Sequence, residues 1–428
     1  MKEFLSRHGV AFETRLLTIP EHRQALESLG RYQAPVTLIG EEQVQGHQPS
    51  LLLDALKRAG LVQRDRQGGD QQAAAADLRL TAPMADALAV ASFLGDGLTL
   101  INARTGGYLG DTLEHSTAPV PGRPIAVEKS HVAGTLAVVC YEAGAVTFFS
   151  LADGTYLAGD LAASTRATGA MPLYAVAHPT QPLLYVSNSE SRSVTVFNAE
   201  TGDYAFGSLE RSAFRVPGQP GVMALHGQAG ILYVRLREGA VVMLDAESMA
   251  PARGELAAST FSTGRGRGIA LSHDQQVLYI PEALGKADGF ALYDAESGEP
   301  LFGRRESSVL PTAPVPFAVA AHPTKPIVYL SCFGDQVVEL RDGRTGEYLF
   351  GSAESSSVAV GSGARAMAVD PRDETLYVSC YDENSVLMFD AATGAARFGD
   401  GHASVRKTGR GPRGMSLLGV GATEPDVS

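Results

Sequence analysis

Cysteine is scarce in this chain: three in 428 residues, Cys140, Cys332 and Cys380. So few thiols give no disulfide framework, which fits a reducing cytoplasm. Long apolar runs are missing too, and with no stretch of about 18 such residues nothing reads as a membrane-spanning helix. The N-terminus has no basic segment followed by an apolar core, so it carries no signal-peptide pattern. Positive charge is in short supply, with 35 Lys and Arg against 47 Asp and Glu. The resulting net charge of −12 argues against nonspecific binding to nucleic acid or to a membrane surface. Nucleophile elbow, phosphate-binding glycine loop and Cys-x-x-Cys are all absent, so no cofactor is implied. A Gly-Arg-Gly-Arg-Gly run at 264–268 opens an expected strand and not a helix, which excludes a nucleotide fingerprint.

What the chain does have is repetition. Residues 183–207, LLYVSNSESRSVTVFNAETGDYAFG, return in recognisable form at 327–351 and 375–399. A turn dipeptide recurs as Thr105-Gly106, Asp153-Gly154, Thr201-Gly202, Ser297-Gly298, Thr345-Gly346 and Thr393-Gly394, with a degenerate copy at Ser248-Met249. From 105 to 393 is 288 residues in six steps, a period of 48. A fixed period of this size signals a solenoid or a propeller. Each copy holds short alternating runs separated by turn residues, in the third copy LYAVAH, LLYVSN, SVTVFN and a weaker DYAFGS. Four strands per unit make a propeller blade. Seven periods of 48 fill the stretch from Ala85 to Val420, which predicts an all-β, seven-bladed propeller over residues 84–420 with a tail at 421–428. The first copy lacks its first strand, and PRGMSLLGV at 412–420 reads as that strand returning from the C-terminus to close the ring.

Residues 1–61 do not share the period, and 62–83 read as a linker. The N-terminal segment reads as a small α/β module with a strand at 34–40 introduced by Pro35 and a closing helix after Gly46. KEFLSRHGVAFE, ESLGRYQAPVTLIG and QGHQPSLL resemble glutaredoxin, in particular the NrdH-type redoxins, which implies a thioredoxin-like fold. The resemblance implies that Pro35 borders a redoxin-like groove and that Gly46 matches the family's second glycine motif. The family's first strand and its Cys-x-x-Cys have no counterpart here, since no cysteine precedes Cys140. Either those elements lie upstream of Met1, or the module is a relic kept for binding.

The repeats LYVSN, IVYLSC and TLYVSC, each followed by an Asp/Asn-rich turn with Thr-Gly, resemble the YVTN propeller repeats. That family includes lactonase-like propellers, so the resemblance implies the fold strongly and an activity weakly. Recurrent residues have structural explanations. Tyr185, Tyr233, Tyr279, Tyr329 and Tyr377 share one strand position and are expected to pack between blades. His178, His226, His273 and His322 share one turn position; spread around a ring, they are too far apart for one ion at bond lengths of about 2 Å, so no metal is expected. The cysteines, at strand ends, read as small buried hydrophobes.

Arginine supplies the functional signal. Arg123, Arg267, Arg365 and Arg413 sit where the chain enters the first strand of a unit, beside the central channel. On an acidic body they would form a positive mouth able to clamp a carboxylate or phosphate. The competing reading pairs them with acids such as Asp96, Glu282, Asp335 and Asp382. Three functions follow as expectations. The first is binding of an anionic small molecule, an acidic protein segment or a glutathione-like thiol, linked to thiol metabolism. The second is hydrolysis of an anionic sugar lactone at the same mouth. The third is thiol–disulfide exchange through a Cys-x-x-Cys upstream of Met1.

Overall fold

The computed structural model describes residues 78–283, 288–399 and 404–419, together with two strands nearer the N-terminus, Val36–Ile39 and Glu42–Gln45. The chain divides into two compact units, Met1–Ala74 and Ala75–Ser428. In the first, the two strands form an antiparallel hairpin in which Val36 faces Gln45 and Ile39 faces Glu42. The strand expected after Pro35 is therefore present. Pro35, Gly46 and the other redoxin-like features lie outside the described residues.

The second unit is an all-β propeller of seven four-stranded antiparallel sheets with almost no helix. Blade 2 shows the pattern: Pro124–Ser130 innermost, then Thr135–Cys140, Ala145–Ser150 and the outer Thr165–Ala167. Second strands are buried end to end, as in Ala87–Ser92 and Thr375–Cys380, because each is covered by its own sheet's neighbours and by the adjacent blades. That burial on both faces explains why their residues are mostly apolar or small. Each innermost strand packs on those of the blades before and after it, round to the start, so the ring is closed around a channel.

Closure comes from the C-terminal strand. Pro412–Leu417 pairs with Ala87–Ser92, with Leu417 opposite Leu88 and Met415 opposite Val90, and completes blade 1. The recurrent tyrosines lock successive blades. Each donates its hydroxyl to a backbone carbonyl of the next blade: Tyr185 to Ala246 at 2.7 Å, Tyr329 to Ala391 at 2.7 Å, and Tyr233 and Tyr279 to Ala295 and Gly343. Tyr377 does the same across the seam, to Ala103 at 2.7 Å. Buried bonds of this kind are worth about 1 kcal/mol each.

The fourth strand is not where its sequence signal pointed. DYAFGS contributes only a bridge between Tyr204 and Phe197, and the outer strand of that blade is Ala213–Arg215. Three residues are too few to show alternation. Residues just before the ring join it as well: Leu78, Leu80 and Ala82 pack against the core of the first blades, and the Thr81 N–H donates to the Leu109 carbonyl at 3.0 Å.

Candidate functional site

The channel contains a cavity of about 210 Å³. Inner strands begin every 48 residues, at 124, 172, 220, 268, 316, 364 and 412 in the repeat frame. The next position carries Ile125, Leu173, Gly221, Ile269, Phe317, Arg365 and Arg413, and all seven line the cavity. Arg365 and Arg413 thus replace apolar residues at one pore-facing position.

Arg123 and Arg267 precede the frame by one residue, and their fates differ. The Arg123 position is a turn with φ of 58°, as at Met171, Val315, Gly363 and Gly411. Its guanidinium pairs with Glu142 at 3.0 Å, and Arg123 does not line the cavity. Arg267 does line it, because blade 5 is irregular and its inner strand is only Ala270–Leu271. The Gly-Arg-Gly-Arg-Gly run therefore leads up to that strand as a loop. A Cβ on Gly264 would lie 2.4 Å from Glu282 Oε2, and one on Gly266 2.3 Å from the Pro281 carbonyl, so only glycine lets the loop lie this close to the sheet. Arg235, 1% exposed, clamps the loop by donating to the carbonyls of Gly268 and Gly264. Its burial lowers its pKa to about 10.

Among the described residues, Arg267, Arg365 and Arg413 make no ion pair with a carboxylate. The acids named as competitors are engaged elsewhere or merely near. Glu282 pairs with Arg305, Asp96 accepts the Arg123 backbone N–H at 2.8 Å, and Asp382 accepts from Ser362 at 2.6 Å. Aromatic rings hold the guanidiniums instead. Arg413 lies 4.4 Å from the Phe93 ring centre and 5.6 Å from that of Tyr381. Arg365 lies 4.8 Å from Tyr381 and 5.2 Å from both Phe317 and Phe333, and Arg267 5.5 Å from Phe317. Phe317 and Phe333 stack at 4.2 Å. Such contacts use the face of a guanidinium and leave its in-plane N–H donors for another partner. Arg365 Nε is buried without a hydrogen-bond acceptor.

The electrostatics match. Burial lowers the Arg413 pKa to about 10, helped by the positive charges of Arg365 and Arg267. Arg267 is lowered by burial and then by Arg237 and Arg365; Arg365 is lowered by burial, with Tyr381 and Asp382 opposing. Among the described residues five arginines line the cavity, the others being Arg235 and Arg237, against a single acid, Glu128. An anion there would relieve repulsion that the protein leaves uncompensated.

Sequence reasoning missed the rings, Arg235 and Glu128. For the rings a signal existed: the residue after the second strand is Phe93, Tyr141, Phe333 or Tyr381 in four blades, at the same period as the rest. His178, His226 and His322 behave as turn residues, whereas the buried Nδ1 of His273 has no hydrogen-bond partner among the described residues. Nδ1 of His178 accepts the N–H groups of Thr180 and Gln181 at 3.3 and 3.1 Å, and His322 treats Thr324 and Lys325 alike. The three thiols are buried, which pushes the pKa up to about 12 for Cys140 and Cys380 and upward for Cys332 as well. They are inert hydrophobes and not rim nucleophiles.

No family model matches the sequence, and no curated protein matches it either. Solved structures do. The fold is shared. A candidate 6-phosphogluconolactonase of Bacteroides fragilis superposes with a TM-score of 0.58 at 16% identity, over 77% of this chain and 97% of that one. Hydrazine synthase of Kuenenia stuttgartiensis gives 0.56 at 15%, over 76% and 99%. AztD of Citrobacter koseri gives 0.52 at 14%, over 77% and 96%. Identities this low establish a common architecture and leave function to the site.

Proposed function

We propose that the propeller binds an anionic small molecule in the mouth of its channel, with Arg267, Arg365 and Arg413 as the clamp. The observation that carries this reading is the convergence of three guanidiniums held by aromatic faces, with no carboxylate partner and with Arg365 Nε unsatisfied. A cavity of about 210 Å³ lies below the ~300 Å³ at which drug-sized sites begin, which favours a small acid or phosphate over a bulky cofactor or a folded segment. Arg123, held by Glu142, serves the ring and not the ligand.

The test is calorimetric titration with inorganic phosphate, citrate, 6-phosphogluconate, glutathione and a Glu-rich peptide at two salt concentrations. At least one small anion is expected to bind, more weakly at high salt, and about tenfold more weakly after Arg365→Ala or Arg413→Ala, while Arg123→Ala leaves its affinity unchanged. Affinities indifferent to both changes would refute the clamp, and binding of the peptide alone would replace the small molecule with an acidic protein segment. Lactone hydrolysis is the second reading, favoured by Glu128, a carboxyl that lines the same cavity as the clamp. Glu128 would take the proton from a water attacking the lactone carbonyl, and hydrolysis of 6-phosphogluconolactone lost in Glu128→Gln would establish it.

A further inference from the structure

The arginine-lined cavity has a second pole. Glu128, on the inner strand of blade 2, lines this cavity and also a second one farther along the channel, and Met415 borders both. The carboxyl therefore stands where the two cavities adjoin. Its Oε1 accepts the Ala177 backbone N–H at 3.1 Å, and among the described residues it has no ion pair. Lys129, next in the strand, donates to the Leu417 carbonyl. Burial raises the Glu128 pKa to about 7, opposed by the Ala177 N–H and by Lys129. Other titratable groups face it from the packed elements: Tyr174 and His178 from blade 3, His131 beyond its own strand, and the arginines across the cavity. Among the described residues no cation comes within ion-pair distance of it, and Lys129 acts on it through its charge alone. Between the clamp and the carboxyl the wall is apolar, with Ile125, Val127, Leu173, Met367 and Met415.

We propose that the channel takes a small zwitterion, its carboxylate or phosphate against Arg267, Arg365 and Arg413 and its amino group against Glu128. This rests on the anion clamp above and adds the ligand's other end. Positive charge at one pole and a lone half-buried carboxyl at the other select a molecule charged in the opposite sense at each end. The apolar wall between them suits a methylene body. An ammonium donates three hydrogen bonds and supplies the counter-charge that Glu128 lacks, so the carboxyl binds it as an anion.

The experiment titrates the full chain with straight-chain ω-amino acids and with the alkanoates of matching length. At pH 8 at least one amino acid is expected to bind about tenfold tighter than its alkanoate. Glu128→Gln should erase that advantage without weakening the alkanoate, and Arg365→Ala should weaken both. In the unaltered protein the advantage should shrink below pH 7 as Glu128 takes up its proton. An amino group that brings nothing at any length, an advantage that survives Glu128→Gln, or no binding by any member overturns the proposal. If phosphate or citrate still depends on Arg365 in that case, the clamp stands and the zwitterion alone falls; if they ignore Arg365, both fall.

Discussion

Replacing Glu128 with Gln should stabilise the protein, and only above a definite pH. Burial moves this carboxyl from 4.5 to about 7 in the folded ring. Between those values the folded state holds a proton that the unfolded chain has already released. Stability therefore falls as pH rises through the interval, and the loss is complete once pH passes the folded value. At about 1.36 kcal/mol per unit, the shift corresponds to a penalty on the order of 3 kcal/mol at pH 8 and almost none near pH 4. Gln keeps an acceptor for the Ala177 N–H and never ionises. With an unfolding entropy of about 2.1 cal/mol/K per residue, 3 kcal/mol over a unit of this size is a rise of about 4 °C in Tm. Urea unfolding of both proteins across pH 4–9, in the absence of anions, measures the difference directly. A gain that is the same at pH 5 and pH 8, or a loss at both, would refute the assignment of Glu128 as a carboxyl held in an unfavourable place.

Two further perturbations test the frame around the site. Arg341 and Glu339, 1% exposed each, form a buried pair with Nη2 to Oε2 at 2.6 Å, and Arg341 also bonds the carbonyls of Pro311 and Gly346 and lies over Tyr348. Arg341→Ala strands the carboxylate and should cost about 3–5 kcal/mol in urea unfolding, whereas Arg341→Met combined with Glu339→Leu should recover most of it. Deleting every residue after Gly411 removes the inner strand of blade 1 together with Arg413, so the midpoint of unfolding should drop steeply; an unchanged midpoint would mean the ring does not depend on that closure.

The propeller was legible because its signals are repeated seven times, and a turn dipeptide that keeps step for 288 residues outweighs any single ambiguous strand. The outer strands were not legible, since three residues such as Ala213–Arg215 carry no period. The arginines were found by position, but the position was read too loosely. Arg123 and Arg267 share one register, Arg365 and Arg413 the next, and a single residue separates a turn side chain that pairs outward from one that lines the pore. Arg267 reaches the pore only because glycines displace its loop, a close approach that sequence spacing does not encode. Glu128 was invisible for a different reason. It is an ordinary acid in an ordinary strand, and its chemistry arises from the solid protein around it.

Repeats make the location of a site a question about disagreement. Where the copies concur, a shared residue performs the same structural task in several blades: five tyrosine hydroxyls bind the next blade, and His178 and His322 close turns. A ring built only from those would present the same face in every direction and could recognise nothing lacking its symmetry. The pore-facing position breaks the symmetry, running from Ile125 and Leu173 on one side to Arg365 and Arg413 on the other. The residue after the second strand is aromatic in blades 1, 2, 6 and 7, and Phe93, Phe333 and Tyr381 of that set lie beside those arginines. The pore-facing arginines of blades 7 and 1 therefore fall within the aromatic sector, and their guanidiniums lie over its rings. Drift in a repeat has no reason to place its cations against its rings, whereas a clamp that must hold unpaired guanidiniums in place requires it. Exchanging Arg365 for the isoleucine of blade 2 should therefore weaken the proposed anion binding, a loss that titration with phosphate or citrate would measure.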